Sequence, residues 1–139
     1  MSESDDYERW LQTHGVGTVA VDLSKRSHQS IRLYLDDVRP CPVGWTVARS
    51  VKEAIELCLT FRVSYASLDH DLGACTPCLQ TDPNAAIGLH CRHIPDGMEF
   101  VRWLVATGCW PENKPTVHSM NAGGRQAMQE MIERHYRTP

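Results

Sequence analysis

The stretch over residues 31–40 joins an apolar strand pattern to two adjacent acidic residues, and it constrains the fold more than any other segment. It reads IRLYLDDVRP, in which isoleucine and leucine alternate with polar or aromatic residues. Alternation with a period of two is typical of a strand with a buried face. Pro40 has no N–H group and cannot continue a hydrogen-bonded ladder. The pattern therefore predicts a buried strand that ends in the carboxylates of Asp36 and Asp37.

Two adjacent carboxylates repel each other at a strand end unless a positive group lies beside them. Carboxylate oxygens are the ligands that Mg²⁺ prefers, so a bound cation would relieve this repulsion at Asp36 and Asp37. The alternative interpretation is a surface turn in which Asp37 only caps a loop. A second acidic strand end later in the chain favours the metal site.

Length, charge and apolar content limit the classes of function. A chain of 139 residues predicts a single domain with a substantial core. The net charge of −3 argues against duplex DNA or an anionic membrane surface as a partner. No apolar run approaches the ~20 residues that a membrane-spanning helix needs. Residues 1–6 are acidic and lack the apolar core of a signal peptide, so we expect a cytoplasmic protein.

Further strand and helix patterns alternate along the chain. Ser50 and Glu53 form a capping box at the start of one helix, and Asp96 caps another. Strands are predicted at 45–48, 63–68 and 116–119, and helices at 51–61, 97–107 and from 122 onward. Strands that alternate with helices imply parallel βαβ units. The sequence thus predicts an α/β domain over residues 31–139 after an N-terminal extension over residues 1–30.

Polar residues follow three of the predicted strands. In parallel sheets the ligand site lies beyond the carboxyl ends of the strands, so we expect these residues to converge on one edge. They are Asp36 and Asp37 after the first strand, Asp69, His70 and Asp71 after the next, and His118, Ser119 and Asn121 at the last.

Three segments at these strand ends resemble the cyclic-phosphate-processing receiver family, a divergent relative of two-component signalling receivers. They are LYLDDVR at 33–39, SLDHDLG at 67–73 and VHSMN at 117–121. The resemblance covers about residues 31–136 and implies a receiver-like, flavodoxin-like three-layer fold. It also implies activity on a cyclic phosphate. A signalling receiver has a further strand that ends in lysine, which is not found after Ser119.

The strand ends offer groups for phosphate-ester chemistry. Asp36, Asp37 and either Asp69 or Asp71 would hold one Mg²⁺. Imidazole titrates near neutral pH, so the histidines are candidates for general acid and base. The candidate catalytic residues are His118, His70, Asp69, Ser119 and Asn121. The candidate substrate-binding residues are Arg39, Ser119, Asn121, Gly123, Gly124 and Arg125, with hydroxyl, amide, guanidinium and helix N-terminal donors.

Each of these candidates also has a structural interpretation. His70 can be a salt-bridged turn residue, and His118 a core histidine with its hydrogen bonds satisfied. Asn121 can be a helix cap only. Arg39 can pair with Asp37.

An irregular segment over residues 74–95 carries a separate set of possible metal ligands. Its soft or borderline ligands are Cys75, Cys78, Cys91 and His93, with His90 as a substitute for His93. Short-spaced pairs across a loop are typical of a tetrahedral structural Zn²⁺. The segment has few apolar residues, so a metal would supply its folding energy. The alternative is a loop with unconnected thiols and imidazoles.

These patterns predict an Mg²⁺-dependent phosphoesterase that acts on a phosphate-containing small molecule or an RNA end. The substrate would be a 2′,3′-cyclic nucleotide, an RNA end with a cyclic phosphate, or a cyclic nucleotide messenger. One alternative is a phosphoacceptor or pseudo-receiver domain that switches a partner. Another is an RNA-end binding module without turnover.

Overall fold

A computed structural model describes residues 21–72 and 95–139, and within them the strands and helices follow one another in the predicted order. The elements are β1 (Ser30–Leu35), β2 (Thr46–Ala48), α1 (Val51–Thr60), β3 (Arg62–Leu68), α2 (Gly97–Thr107), β4 (Thr116–Val117) and α3 (Ala122–His135). In these two ranges no helix has the length and apolar character to cross a membrane.

The strands form one parallel sheet. Its order is β2-β1-β3-β4, and every neighbouring pair is parallel. This order matches the first four strands of the flavodoxin-like arrangement. The predicted receiver-like α/β fold is therefore confirmed.

The helix ends follow the capping pattern in the sequence, with one difference. Ser50 Oγ accepts a hydrogen bond from Glu53 N at 3.2 Å. The Glu53 carboxylate accepts from Arg49 N at 2.7 Å, and not from the predicted Ser50 N–H. Asp96 caps α2, and Gly108 ends that helix in the left-handed conformation with φ of 70°. Local sequence thus sets the ends of these helices.

The core lies between one face of the sheet and the helices. Apolar residues from all the named helices pack in one cluster with the inward residues of β1 and β3. Those inward residues are Ile31, Leu33, Leu35, Val63, Ala66 and Leu68. Helix α2 lies between α1 and α3 and contacts both. The described residues therefore form two layers, the parallel sheet and one layer of helices.

The start of α2 lies directly against the end of β3. Gly97 N donates to His70 O at 2.8 Å. A Cβ atom at Gly97 would lie 1.9 Å from Asp69 O, so only glycine permits this approach. The contact fixes the backbone of Asp69 and His70, and both are candidate site residues.

Candidate functional site

The carboxyl ends of β1, β3 and β4 meet at one edge of the sheet. Asp69 N donates to Leu35 O and His118 N donates to Leu68 O, each at 2.9 Å, so the strand ends lie in register. The ligand atoms of Asp36, Asp69 and His118 all lie within 4.8 Å of one another. We call these three residues the strand-end cluster. The predicted convergence of side chains from separate strands is thus present in the structure.

Asp36 is fully buried at the centre of the cluster. Its Oδ1 accepts from Val38 N at 3.0 Å and from Arg39 N at 2.9 Å, while Oδ2 lies 2.9 Å from His118 Nε2. Burial works to raise the pKa of Asp36, but the N–H groups and the His118 ring together hold it below its ordinary value. Asp36 therefore stays ionised and binds the loop after β1 to the end of β4.

The His118 ring is held on three sides. Its Nδ1 lies 2.7 Å from Ser67 Oγ, and its Nε2 faces Asp36. Tyr34 stacks on the ring with centroids 4.7 Å apart and parallel planes. An ionised carboxylate only accepts hydrogen bonds, so a neutral His118 donates from Nε2 and accepts the Ser67 hydroxyl proton at Nδ1. The contacts of Ser67 and Tyr34 with this ring were not predicted from the sequence, where both residues stand only within strand patterns and family-like segments.

Asp37 and Asp69 carry negative charge that nearby groups do not fully balance. Burial raises the pKa of Asp37, and the charges of Asp36, Asp69 and Asp71 raise it further. Burial likewise raises the pKa of Asp69, followed by repulsion from Asp36. His70 N and the Ser119 side chain donate to Asp69 but do not cancel these effects. Both carboxylates are therefore destabilised as anions in the metal-free protein.

Asp37→Asn is expected to increase the free energy of unfolding of the metal-free protein at neutral pH. A raised pKa means that ionised Asp37 opposes folding, and this cost grows as the pH rises from the ordinary carboxyl pKa through the raised one. Urea denaturation in EDTA across this pH window measures the gain, which should shrink as the pH falls. Glu56→Gln, at an exposed position of α1, is the control. A variant less stable than wild type at neutral pH would contradict this prediction.

His70 lies in a second network beside the cluster. Its Nδ1 is 2.8 Å from Asp71 Oδ1, and its Nε2 is 3.5 Å from Asp96 Oδ2. Asn121 Nδ2 donates to the same Asp71 oxygen at 3.3 Å. His70 thus lies between the acidic side chains of Asp71 and Asp96, as the structural interpretation expects. These contacts join the end of β3 to the starts of α2 and α3.

Gly124 packs against the His70 ring, and a methyl group there would displace the ring. An alanine Cβ at this position would lie 2.5 Å from the His70 ring carbons, whereas at Gly123 the nearest atom is 3.8 Å away. Gly123→Ala should therefore stabilise α3 by ~0.5–1 kcal/mol, and Gly124→Ala should destabilise the protein by ~1–3 kcal/mol. Urea denaturation and the His70 ring NMR signals of this matched pair test the contact. Equal effects of the two changes would rule it out.

Comparison with protein families gives a match over most of the chain. Residues 31–134 match the cyclic-phosphate processing receiver domain. The chain belongs to this family. No curated protein and no solved structure gives a significant match. The recognised family is the one that the segments at the strand ends resemble.

The candidate phosphate-binding residues of this receiver domain are partly occupied by structural contacts. Gly124 N donates to Asn121 Oδ1 at 3.0 Å, so Asn121 is the cap of α3 and this N–H is not free for an anion. Ser119 is buried, and its Oγ accepts from Asn121 N at 3.1 Å. Gly123 is exposed in the first turn of α3. The structure thus brings Asn121 and Ser119 to the site edge in supporting positions.

Arginines surround the strand-end cluster of the receiver domain. Arg39 Nη1 donates to His118 O at 3.1 Å, and Arg39 Nε lies 3.7 Å from Asp36 Oδ2, so Arg39 pairs with Asp36 and not with Asp37. Arg49, which sequence analysis did not select, donates to Asp36 O at 3.1 Å. Arg125 is exposed and donates to Ser119 O at 3.4 Å. Arg39 is therefore the candidate clamp closest to the cluster.

The predicted zinc ligands Cys75, Cys78, Cys91 and His93, with the substitute His90, lie outside the described residues. The same holds for residues 1–20 of the N-terminal extension. Its residues 21–29 are described, and Ser27 N donates to Thr60 O at 2.8 Å, at the end of α1.

Proposed function

We propose that this receiver domain is an Mg²⁺-dependent phosphoesterase that hydrolyses a cyclic phosphate. The observation that carries the proposal is the strand-end cluster, in which two carboxylates and an imidazole from three strands lie within 4.8 Å. Membership of the cyclic-phosphate processing receiver family supports the substrate class. Hydrolysis needs a charged oxygen to be neutralised and a proton to be transferred, and this cluster holds groups suited to both.

The charge of the carboxylates fits a hard divalent cation. Burial, with a further contribution from neighbouring carboxylates, raises the pKa values of Asp37 and Asp69, and their oxygens are ligands that Mg²⁺ accepts. We propose that Asp37 and Asp69 hold the ion together with Asp36, and that Asp71 supports the site through His70 and Asn121. When bound, Mg²⁺ would neutralise a phosphoryl oxygen and position a water molecule.

His118 supplies the proton in this proposal. Its Nε2–H points at the cluster, where Asp36 Oδ2 lies 2.9 Å away. Ser67 holds Nδ1 and Tyr34 fixes the plane of the ring. These two contacts orient the Nε2–H bond toward Asp36. In the protonated ring, Nδ1–H would donate to Ser67 Oγ, and a leaving oxygen placed beside Asp36 would take the Nε2 proton in place of the carboxylate, which leaves a neutral imidazole. Arg39 lies at the same edge and would pair with a phosphoryl oxygen.

The segment over residues 74–95 is proposed to hold a structural Zn²⁺. Its ligands would be Cys75, Cys78, Cys91 and either His93 or His90. Four protein ligands would fill the tetrahedral site, so the ion would have no open position for substrate.

A second candidate function follows from the position of Asp69 at the end of β3. A carboxylate at this place in a receiver can accept a phosphoryl group and switch a partner. Two observations weigh against it here. The Asp69 side chain already accepts hydrogen bonds from His70 N and Ser119. In residues 95–139, moreover, no strand follows β4, so no strand there carries the lysine of signalling receivers.

One assay separates the two candidates. Purified protein with Mg²⁺ is incubated with 2′,3′-cyclic nucleotides, an oligoribonucleotide with a terminal cyclic phosphate, and 3′,5′-cyclic nucleotides. Products are resolved by chromatography, with EDTA as the control. A parallel sample receives acetyl phosphate and is analysed by intact mass. Metal-dependent ring opening is the expected result. A stable phosphoryl adduct, with no hydrolysis of any cyclic phosphate, would favour the switch.

A further inference from the structure

The sheet face opposite the core carries a row of aromatic and basic side chains. Register pairs Arg32 with Tyr65, and Tyr34 with Ser67, so these residues project from the same side of β1 and β3. The pairing shifts by one residue between Ile31 and Arg32. A one-residue shift moves the following side chains to the other face, so the irregularity places Tyr65 beside Arg32. We define the open face by Arg32, Tyr34, Arg62, Tyr65 and Ser67.

The open face is accessible and positively charged. Tyr65 is 47% exposed, and the Arg32 guanidinium lies 5.9 Å from its ring centroid. Arg32 and Arg62 are both exposed. Within residues 21–72 and 95–139, neither arginine forms an ion pair. Two arginines without carboxylate partners beside an exposed aromatic ring form a surface suited to an anion that carries flat rings.

The open face adjoins the strand-end cluster through Tyr34 and Ser67, which both contact His118. Tyr34 stacks on the His118 ring, and that ring bonds Ser67 on one side and Asp36 on the other. With a rise of ~3.3 Å per residue, β1 extends ~13 Å from Arg32 to Asp36. A ligand on this face therefore has room for two or three stacked rings before its end reaches the carboxylates.

We propose that the open face binds single-stranded RNA and directs its 3′ end into the strand-end cluster. Bases would stack on Tyr65 and the Arg32 plane, and Arg62 would contact the phosphates. The strand must be RNA, because a terminal 2′,3′-cyclic phosphate needs a 2′ oxygen. The inference rests on the proposed function for the chemistry at the 3′ end, but binding to the face is independent of turnover.

Binding is measured without added Mg²⁺, so that metal-dependent hydrolysis does not contribute and the proposed structural Zn²⁺ is retained. The probe is a fluorescein-labelled oligoribonucleotide with a terminal 2′,3′-cyclic phosphate, and its fluorescence anisotropy is followed at several salt concentrations. Cytidine 2′,3′-cyclic phosphate serves as an unlabelled competitor without neighbouring bases. The oligomer is expected to bind at least tenfold more tightly than the mononucleotide, because base stacking on aromatic rings adds affinity.

Substitutions on the open face should weaken binding of the oligomer more than binding of the mononucleotide. Tyr65→Ala should reduce affinity roughly 5- to 100-fold, whereas Tyr65→Phe keeps the ring and should retain it. Arg32→Ala should weaken binding and flatten its salt dependence. Arg102→Ala removes an exposed arginine on α2, in the helical layer, and should change neither quantity. Thermal unfolding of each variant confirms that the fold is retained.

The outcomes distinguish this inference from the proposed function. Oligomer binding that needs Tyr65, without hydrolysis of any cyclic phosphate, would support RNA binding by the open face. The same result would contradict the proposed phosphoesterase activity. Equal affinity for oligomer and mononucleotide, or no effect of Tyr65→Ala, would overturn the RNA face even if hydrolysis occurs. Self-association that is lost in Tyr65→Ala, without RNA binding, would assign the face to a second copy of the chain.

Discussion

Asp36→Ala is expected to lower the free energy of unfolding by ~3–5 kcal/mol, since it breaks a buried, charge-paired network. The change leaves Val38 N, Arg39 N and His118 Nε2 without the acceptor that each has in the wild type. Urea denaturation at neutral pH measures the loss. Because its pKa is lowered in the folded state, Asp36 stabilises the fold above the ordinary carboxyl pKa. The difference from wild type should therefore shrink as the pH falls through the lowered value.

Asp37→Ala is the matched control for this change. Asp37 is the adjacent residue, is partly exposed and has a raised pKa, so its removal should leave stability unchanged or improved. A similar loss in both variants would mean that the buried hydrogen bonds of Asp36 are not what stabilises the loop.

His118→Asn is expected to slow hydrolysis of the cyclic phosphate by ~10²- to 10⁴-fold, the usual contribution of a general acid or base. Asparagine can still hydrogen-bond but cannot carry the transferable proton of imidazole. Steady-state rates with saturating Mg²⁺ measure this effect, and thermal unfolding reports the integrity of the fold. His28→Asn, at an exposed position before β1, is the matched control. Full activity of His118→Asn would show that the imidazole does not act as general acid or base in the reaction.

Much of the fold follows from local sequence. Alternating apolar residues predict β1, and Ser50, Asp96 and Asn121 mark the helix starts found in the structure. These signals work because a cap or an apolar alternation depends on neighbours within a few residues. Parallel strands then place the residues after each strand at one edge, which is why the site location was predictable.

The role of each residue at this edge of the sheet depends on contacts between residues far apart in the sequence, which local patterns do not encode. The sequence pattern does not distinguish Asp36 from Asp37, yet of the two only Asp36 is fully buried and bonded to His118, 82 residues away. Ser67 acquires its importance from the same ring, across 51 residues. Register decides these pairings, and register follows from the packing of the whole sheet.

The open face of the sheet was not predicted for a related reason. The shift between Ile31 and Arg32 is a property of the paired strands, so neither strand pattern alone places Tyr65 beside Arg32. The strong apolar alternation of β1 predicts which side is buried, but it does not show whether a second layer covers the other side.

Phosphorus NMR of a 2′,3′-cyclic nucleotide incubated with wild-type protein follows the proposed reaction at the phosphorus atom itself. With Mg²⁺, the signal of the five-membered cyclic phosphate should disappear and a phosphomonoester signal should replace it. EDTA should stop this conversion, and Asp69→Asn should slow it strongly because a metal-binding carboxylate is lost. A cyclic signal that persists with Mg²⁺ across the cyclic phosphates tested, or conversion unaffected by both EDTA and Asp69→Asn, would contradict a metal-dependent phosphoesterase at the strand-end cluster.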